Sequence, residues 1–151
     1  MTGITLKSRL QNDMKATMKT KDKPRLAVIR LILAAVKQRE VDERIQLDDQ
    51  QVLVVLDKMV KQRQESVRQY QSAGRADLAT AEQAEIAVIQ TYLPAALTPS
   101  QVNTLIQQAL SETNATSMRN MGQVMALIKP RVQGRADMAE ISQTVRKHLA
   151  G

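Results

Sequence analysis

The side chains whose type and spacing could do chemistry in this chain are basic. Lys15, Lys19, Lys21, Lys23 and Arg25 crowd around one expected interhelical turn. Arg119, Lys129, Arg131, Arg135, Arg146 and Lys147 fall in the last third of the chain. Ammonium and guanidinium groups bind phosphate through charge-assisted hydrogen bonds, and guanidinium can do so with two parallel bonds. Lys129-Pro130-Arg131 and Gly134-Arg135 are expected at a turn, where backbone N–H groups and guanidinium could converge on a phosphate.

Other chemistry has little to build on. The single histidine, His148, stands near the end of the chain with no cysteine or second histidine to share a metal. No glycine-rich phosphate loop, nucleophile elbow or zinc spacing occurs. The carboxylates stand at expected helix starts or among lysines and arginines, where capping and solvation account for them. The sequence therefore predicts no catalytic residue, no metal and no cofactor. Zero cysteines exclude disulfides.

The charge is uneven. Residues 1–44 hold eleven Lys and Arg against five Asp and Glu, residues 45–97 five against seven, and residues 98–151 six against three. Basic ends favour a polyanionic partner. With two tyrosines and no Phe or Trp there is no platform on which to stack unpaired bases. A nucleic acid would have to be held by phosphate, ribose and shape, which points to a folded RNA.

The elements that must position these residues read as helices throughout. Ala, Leu, Gln, Lys, Arg, Met and Glu dominate, and Gly (five) and Pro (four) are scarce. Leu6, Leu10, Met14 and Met18 mark one stripe of a first helix. Asp22 caps a second, with Pro24 in its first turn, running to about Arg44. That helix is expected to be buried on most sides from Leu26 to Val36 and solvated from Lys37 to Arg44. Asp48 or Asp49 opens a third helix that ends at Gly74, and its second half is expected to project with Val67 and Tyr70 along a thin apolar edge. A fourth runs from about Asp77 to Thr91, with Leu78, Ala81, Ile86 and Ile89 inward. Thr98, Pro99 and Gln101 form a capping box for a fifth, which buries Val102, Leu105, Ile106 and Leu110. A sixth spans about Met118 to Ile128 and is stopped by Pro130. The last begins at Asp137, with Glu140 completing a second box, and buries Ile141, Val145 and Leu149. The string Gly-Arg-Ala-Asp occurs twice, at Gly74–Asp77 and Gly134–Asp137. It reads as turn chemistry, a left-handed glycine followed by a capping aspartate. The fold class is all-α: an N-terminal bundle of about four helices over residues 1–94 and a small three-helix subdomain over 95–151.

No apolar run approaches the roughly 18 residues of a membrane span. The opening Met1-Thr2-Gly3-Ile4 lacks a charged start followed by an apolar block, so no secretory signal is expected and the cytoplasm is the expected compartment.

Several short strings, in order and at spacing, resemble one family over essentially the whole length. They include Leu6-Lys7-Ser8-Arg9-Leu10, Asp13-Met14-Lys15, Lys21-Asp22-Lys23, Leu31-Ile32-Leu33-Ala34-Ala35, Gly74-Arg75, Asp77-Leu78, Glu85-Ile86 and Tyr92-Leu93-Pro94. In the last third they are Met121-Gly122-Gln123-Val124-Met125, Pro130, Gly134-Arg135-Ala136-Asp137, Val145 and Leu149. The chain resembles the GatB/YqeY family, and most of all its free-standing YqeY-type members. The resemblance implies a two-part helical fold. It also implies kinship with the tail of the B subunit of the tRNA-dependent amidotransferase and with extensions of some glutaminyl-tRNA synthetases, modules that contact the body of tRNA. Asn120 stands where Asp is common, Gln123 where Lys is common and Met138 where Gly is frequent. The loss of that Lys removes one candidate phosphate contact.

The expected function is a non-catalytic tRNA-binding accessory module in translation. Two alternatives stand beside it. One is a protein-interaction module docking on a tRNA synthetase or amidotransferase through the third helix. The other, implied by the family name, is a component of an amidotransferase, a carbon–nitrogen ligase with glutamine as amido-N-donor. Gly74, Asp77, Gly122, Gly134 and Asp137 are expected as turn and cap residues.

Overall fold

The computed structural model describes residues 4–150. Residues 1–3, on which the expectation about a secretory signal partly falls, lie outside them. Among the described residues the fold is all-α: α1 (Leu6–Thr20), α2 (Lys23–Glu43), α3 (Asp49–Ser72), α4 (Ala76–Gln90), α5 (Pro99–Glu112), α6 (Met121–Val132) and α7 (Met138–Ala150), with a 3-10 turn at Met118–Asn120 before α6. Contacts divide the chain into two compact units, Met1–Leu93 and Pro94–Gly151. No described helix is long and apolar enough to cross a membrane.

In the first unit the core is built on Leu10, Ile29, Ile32, Leu56, Ile89 and Tyr92, all fully buried. α1 starts at Thr5, whose hydroxyl accepts the Ser8 N–H. Its i+4 stripe does not stay inward. Each step of four turns about 40° past a full circle, so Met18 ends up half-exposed while Thr17 faces the core. The Thr17 hydroxyl is satisfied by the carbonyls of Asp13 and Met14, both at 3.0 Å.

α2 departs from expectation in two ways. Val28, Ile29, Ile32 and Val36 are buried, but Leu31 is exposed and Ala34 with it. One whole side of this apolar helix faces outward. Its polar end is not simply solvated either, because Glu40 is buried. Its carboxylate accepts from Lys7 Nζ at 2.6 Å and from the Leu47 N–H at 2.8 Å. Lys7 also donates to Gln46 at 2.9 Å. The lysine and the amide hold the Glu40 carboxyl below its usual titration range. The α2–α3 connection is thereby pinned to α1.

α3 opens with a capping box between Asp48 and Gln51. Its second half does not project free. α4 runs beside it, Arg63 pairs with Glu85 at 2.9 Å, and Val67 and Ala79 are buried. The turn between them needs Gly74, at φ +71°. Asp77 does not cap α4. It already lies inside the helix, and its carboxylate accepts from Arg75 Nε and Nη2 at 3.2 and 3.1 Å. Ala81 faces solvent.

In the second unit Ile106, Ala109, Val124, Ile128, Val132, Ile141, Val145 and Leu149 form a small core, against which Val102, Leu105 and Leu110 pack half-buried. The Thr98 and Gln101 box closes the start of α5. Pro130 does not stop α6. It sits in the last turn, and the helix reaches Val132. One missing N–H in a final turn costs a single bond, and the ring is tolerated there. Gly122 is no turn residue but a first-turn position of α6, while Gly134, at φ +75°, is a turn. Asp137 caps α7 by accepting the Ala139 N–H at 2.9 Å, and this bond takes the place of a reciprocal box with Glu140.

Candidate nucleic-acid interface

Lys15 and Lys19 lie one turn apart on α1, on the side away from Leu10 and Thr17, and are exposed. Lys21 ends the helix in the left-handed region at φ +60°. The chain reverses at once. Asp22 accepts the Arg25 N–H at 3.3 Å to start α2, with Lys23 and Pro24 in its first turn. Lys15, Lys19, Lys21 and Lys23 are thus gathered at one helix corner. None of the four makes an ion pair among the described residues.

Arg25, grouped with them in sequence, is spent differently. It is half-buried, its guanidinium lies 5.9 Å from the centre of the Tyr92 ring, and Nη2 donates to the Tyr92 hydroxyl at 3.5 Å. Arg9 covers the same ring at 4.7 Å and donates to the Thr91 carbonyl at 3.1 Å. The Tyr92 hydroxyl donates to Asp13 at 2.5 Å. Burial first, then the Asp13 carboxylate, push the phenol up to about 12, against the opposing charge of Arg25. It is a neutral donor at any physiological pH. These side chains bolt α1, the start of α2 and the end of α4 together behind the lysine corner. In the sequence Tyr92 stands only as part of the Tyr92-Leu93-Pro94 string, with no neighbour that marks it as a brace. The one available signal was weak: Arg9 and Asp13 stand four residues apart, on one side of α1.

The C-terminal group is dispersed by comparison. Arg119 is exposed on the 3-10 turn. Lys129 and Arg131 sit in the last turn of α6, not in a loop. That end of a helix presents carbonyls and negative dipole. Most of the backbone N–H groups at that turn are occupied: Gln133 donates to the Lys129 carbonyl, and Arg135 and Ala136 both donate to the Val132 carbonyl. Arg131 approaches Glu112 at 3.7 Å. Arg135 donates through Nε to the Ala95 carbonyl at 3.0 Å and accepts the Leu97 N–H at 2.8 Å, so it staples residues 95–97 to the turn after α6. Arg146, Lys147 and His148 are exposed on α7.

Among the described residues no three His, Cys, Asp or Glu side chains gather as a metal ion would need. Buried side-chain nitrogens and oxygens there all have hydrogen-bond partners.

Comparison with known proteins adds the following. The family model described as "Yqey-like protein" matches residues 7–149. "Altered inheritance of mitochondria protein 41, mitochondrial" of Pyrenophora tritici-repentis (strain Pt-1C-BFP) is 30% identical over 142 residues, 92% of this chain and 78% of that protein. The protein of the same name in Vanderwaltozyma polyspora is 30% identical over 106 residues, 68% of this chain and 57% of the relative. That in Clavispora lusitaniae (strain ATCC 42720) is 39% identical over 88 residues, 58% of this chain and 51% of the relative. The chain thus spans little more than half the length of the latter two. These names overturn the cytoplasmic expectation, which rested on the lack of a long apolar run and on the opening residues: the relatives are called mitochondrial proteins.

Proposed function

The chain belongs to the Yqey-like protein family, and from that premise we propose that it is a non-catalytic module that grips the sugar–phosphate backbone of a folded RNA of the tRNA type. The observation that carries this reading is the corner where α1 meets α2, with four exposed ammonium groups and, among the described residues, no carboxylate paired to any of them. Lysine heads on flexible stems suit phosphates whose spacing is set by the RNA and not by the protein. Lys129, Arg146, Lys147 and Arg119 are further exposed cations for a second contact. Arg25 and Arg135 act as braces in this reading, and Arg131 is partly offset by Glu112. With Tyr92 buried, only the half-buried Tyr70 is left, and one ring makes no platform for stacking bases. The reading asks no bond-making of this chain: Asp22 and Asp48 are taken up in capping helices, and Glu40 and Glu85 in pairing with cations.

The test is a titration of the full chain with a labelled tRNA transcript and with an unstructured RNA of equal length. About four phosphate contacts predict a log–log salt slope near −3.5, or roughly a hundredfold loss between 50 and 200 mM salt. Replacing Lys15, Lys19, Lys21 and Lys23 together by Ala should remove most of that slope. Equal affinity for both RNAs, or a slope that the fourfold variant leaves unchanged, refutes the reading.

A further inference from the structure

The outward side of α2 carries an order of its own. Ala27, Leu31, Ala34, Gln38 and Val41 recur at alternating steps of four and three, the seam spacing of a two-helix coiled coil, and Ile45 follows just past the end of the helix. All six are exposed, Leu31 at 46%, Val41 at 59% and Ile45 at 37%. Few large apolar side chains of the described residues are this exposed, and two of them stand on this line with a third just past its end. Beside the seam runs a second row, Lys23, Arg30 and Lys37, each seven residues from the next, and Arg44 follows as the left-handed residue that ends the helix. All four are exposed and none is in an ion pair among the described residues. At the end of the seam Lys37, Val41, Arg44 and Ile45 border a depression of about 280 Å³, room for one side chain.

We infer that this face of α2 docks an amphipathic helix of another protein, one whose apolar edge is flanked by Asp or Glu at seven-residue spacing. Charge decides the occupant. A second copy packed antiparallel would set the basic row against itself. A second copy packed parallel would need acidic residues on the other flank. There Val28 is buried in its own core and Ala35 is neutral, which leaves Asp42 alone. An RNA would use the basic row but gain nothing from Leu31, Val41 and Ile45. A helix with an acidic margin uses both. Its apolar residues cover the seam, its carboxylates meet the three cations of the row, and a larger residue enters the depression.

The probe is a synthetic single-helix peptide with Leu and Ala on its apolar edge and Glu on the flanking positions. Its control is the same peptide with Lys for Glu. The full chain should bind the Glu peptide at least tenfold more tightly than the Lys peptide. Leu31→Ser with Val41→Ser, both at exposed positions, should weaken that binding tenfold or more without changing helicity. Arg30→Glu with Lys37→Glu should reverse the preference between the peptides. The tRNA titration above should not respond to the Leu31 and Val41 replacements, which separates this surface from the lysine corner. The inference is overturned by equal binding of both peptides, by binding that survives the serine replacements, or by an equal loss of RNA affinity in those variants. A dimer in solution that the serine replacements dissociate overturns it in favour of a second copy.

Discussion

The hydroxyl of Tyr92 donates to the carboxylate of Asp13 across 79 positions of sequence, and the ring that carries it lies under the guanidinium of Arg9. This contact ties the last residues of the first unit to its first helix. Tyr92→Phe keeps the ring and the cation contacts but leaves the Asp13 carboxylate without its donor. It should cost roughly 1.5–3 kcal/mol, read as a lower urea midpoint at unchanged m-value. An unchanged midpoint would mean that the hydroxyl is idle.

The same phenol sets an alkaline limit. Its folded-state value is pushed up to about 12 from an unfolded 10. Over that window the native chain keeps a proton that the unfolded chain has lost. The contribution is full below about pH 10 and disappears as pH rises through about 12. Between neutral pH and about pH 12 the parent should therefore lose more stability than Tyr92→Phe does. Parallel losses in the two proteins would contradict the assignment.

Gly74 and Gly122 offer a paired experiment. At both, an added Cβ meets nothing within 4 Å, but only Gly74 has a positive φ, of +71°. Gly74→Ala should destabilise by about 1 kcal/mol because the left-handed region penalises a side chain. Gly122→Ala should stabilise by about 0.5 kcal/mol by restricting the unfolded chain. Thermal melts of both variants decide it, and the same sign for the two would defeat the argument.

Two residues read alike in sequence as helix starters should also part company. Thr98→Ala removes half of a capping box and should cost about 1 kcal/mol. Asp77→Ala removes only an exposed pair with Arg75 and should change the melt far less.

Arg135→Ala should act on the fold and not on RNA. Loss of the bond to the Ala95 carbonyl should cost about 1 kcal/mol and speed amide exchange at Leu97, whose N–H is held by the Arg135 carbonyl. The salt slope of RNA binding should stay as in the parent. A slope lowered by about one would return Arg135 to the phosphate contacts.

What the sequence made legible were the local rules. Asp22 with Pro24, and Thr98 with Pro99 and Gln101, announce helix starts because capping is a matter of three or four consecutive residues. Gly74 and Gly134 announce turns for the same reason. Long-range choices were not legible. Nothing near Glu40 in sequence says that Lys7, 33 residues earlier, will reach it. Nothing near Tyr92 names Asp13. The apolar surround of α2 was plain, but which side would face outward depends on where α1, α3 and α4 lie. Pro130 misled because a breaker in a final turn has little helix left to break.

Lys23 belongs both to the lysine corner and to the basic row along α2. A single ammonium group can neutralise a phosphate or a carboxylate, but not both at full strength. On the two proposals above the surfaces are antagonists by one charge: an acidic helix seated on α2 should loosen the hold on RNA, and bound RNA should loosen the helix by the same factor. The chain would then behave as a relay that hands one anion over as it takes up the other.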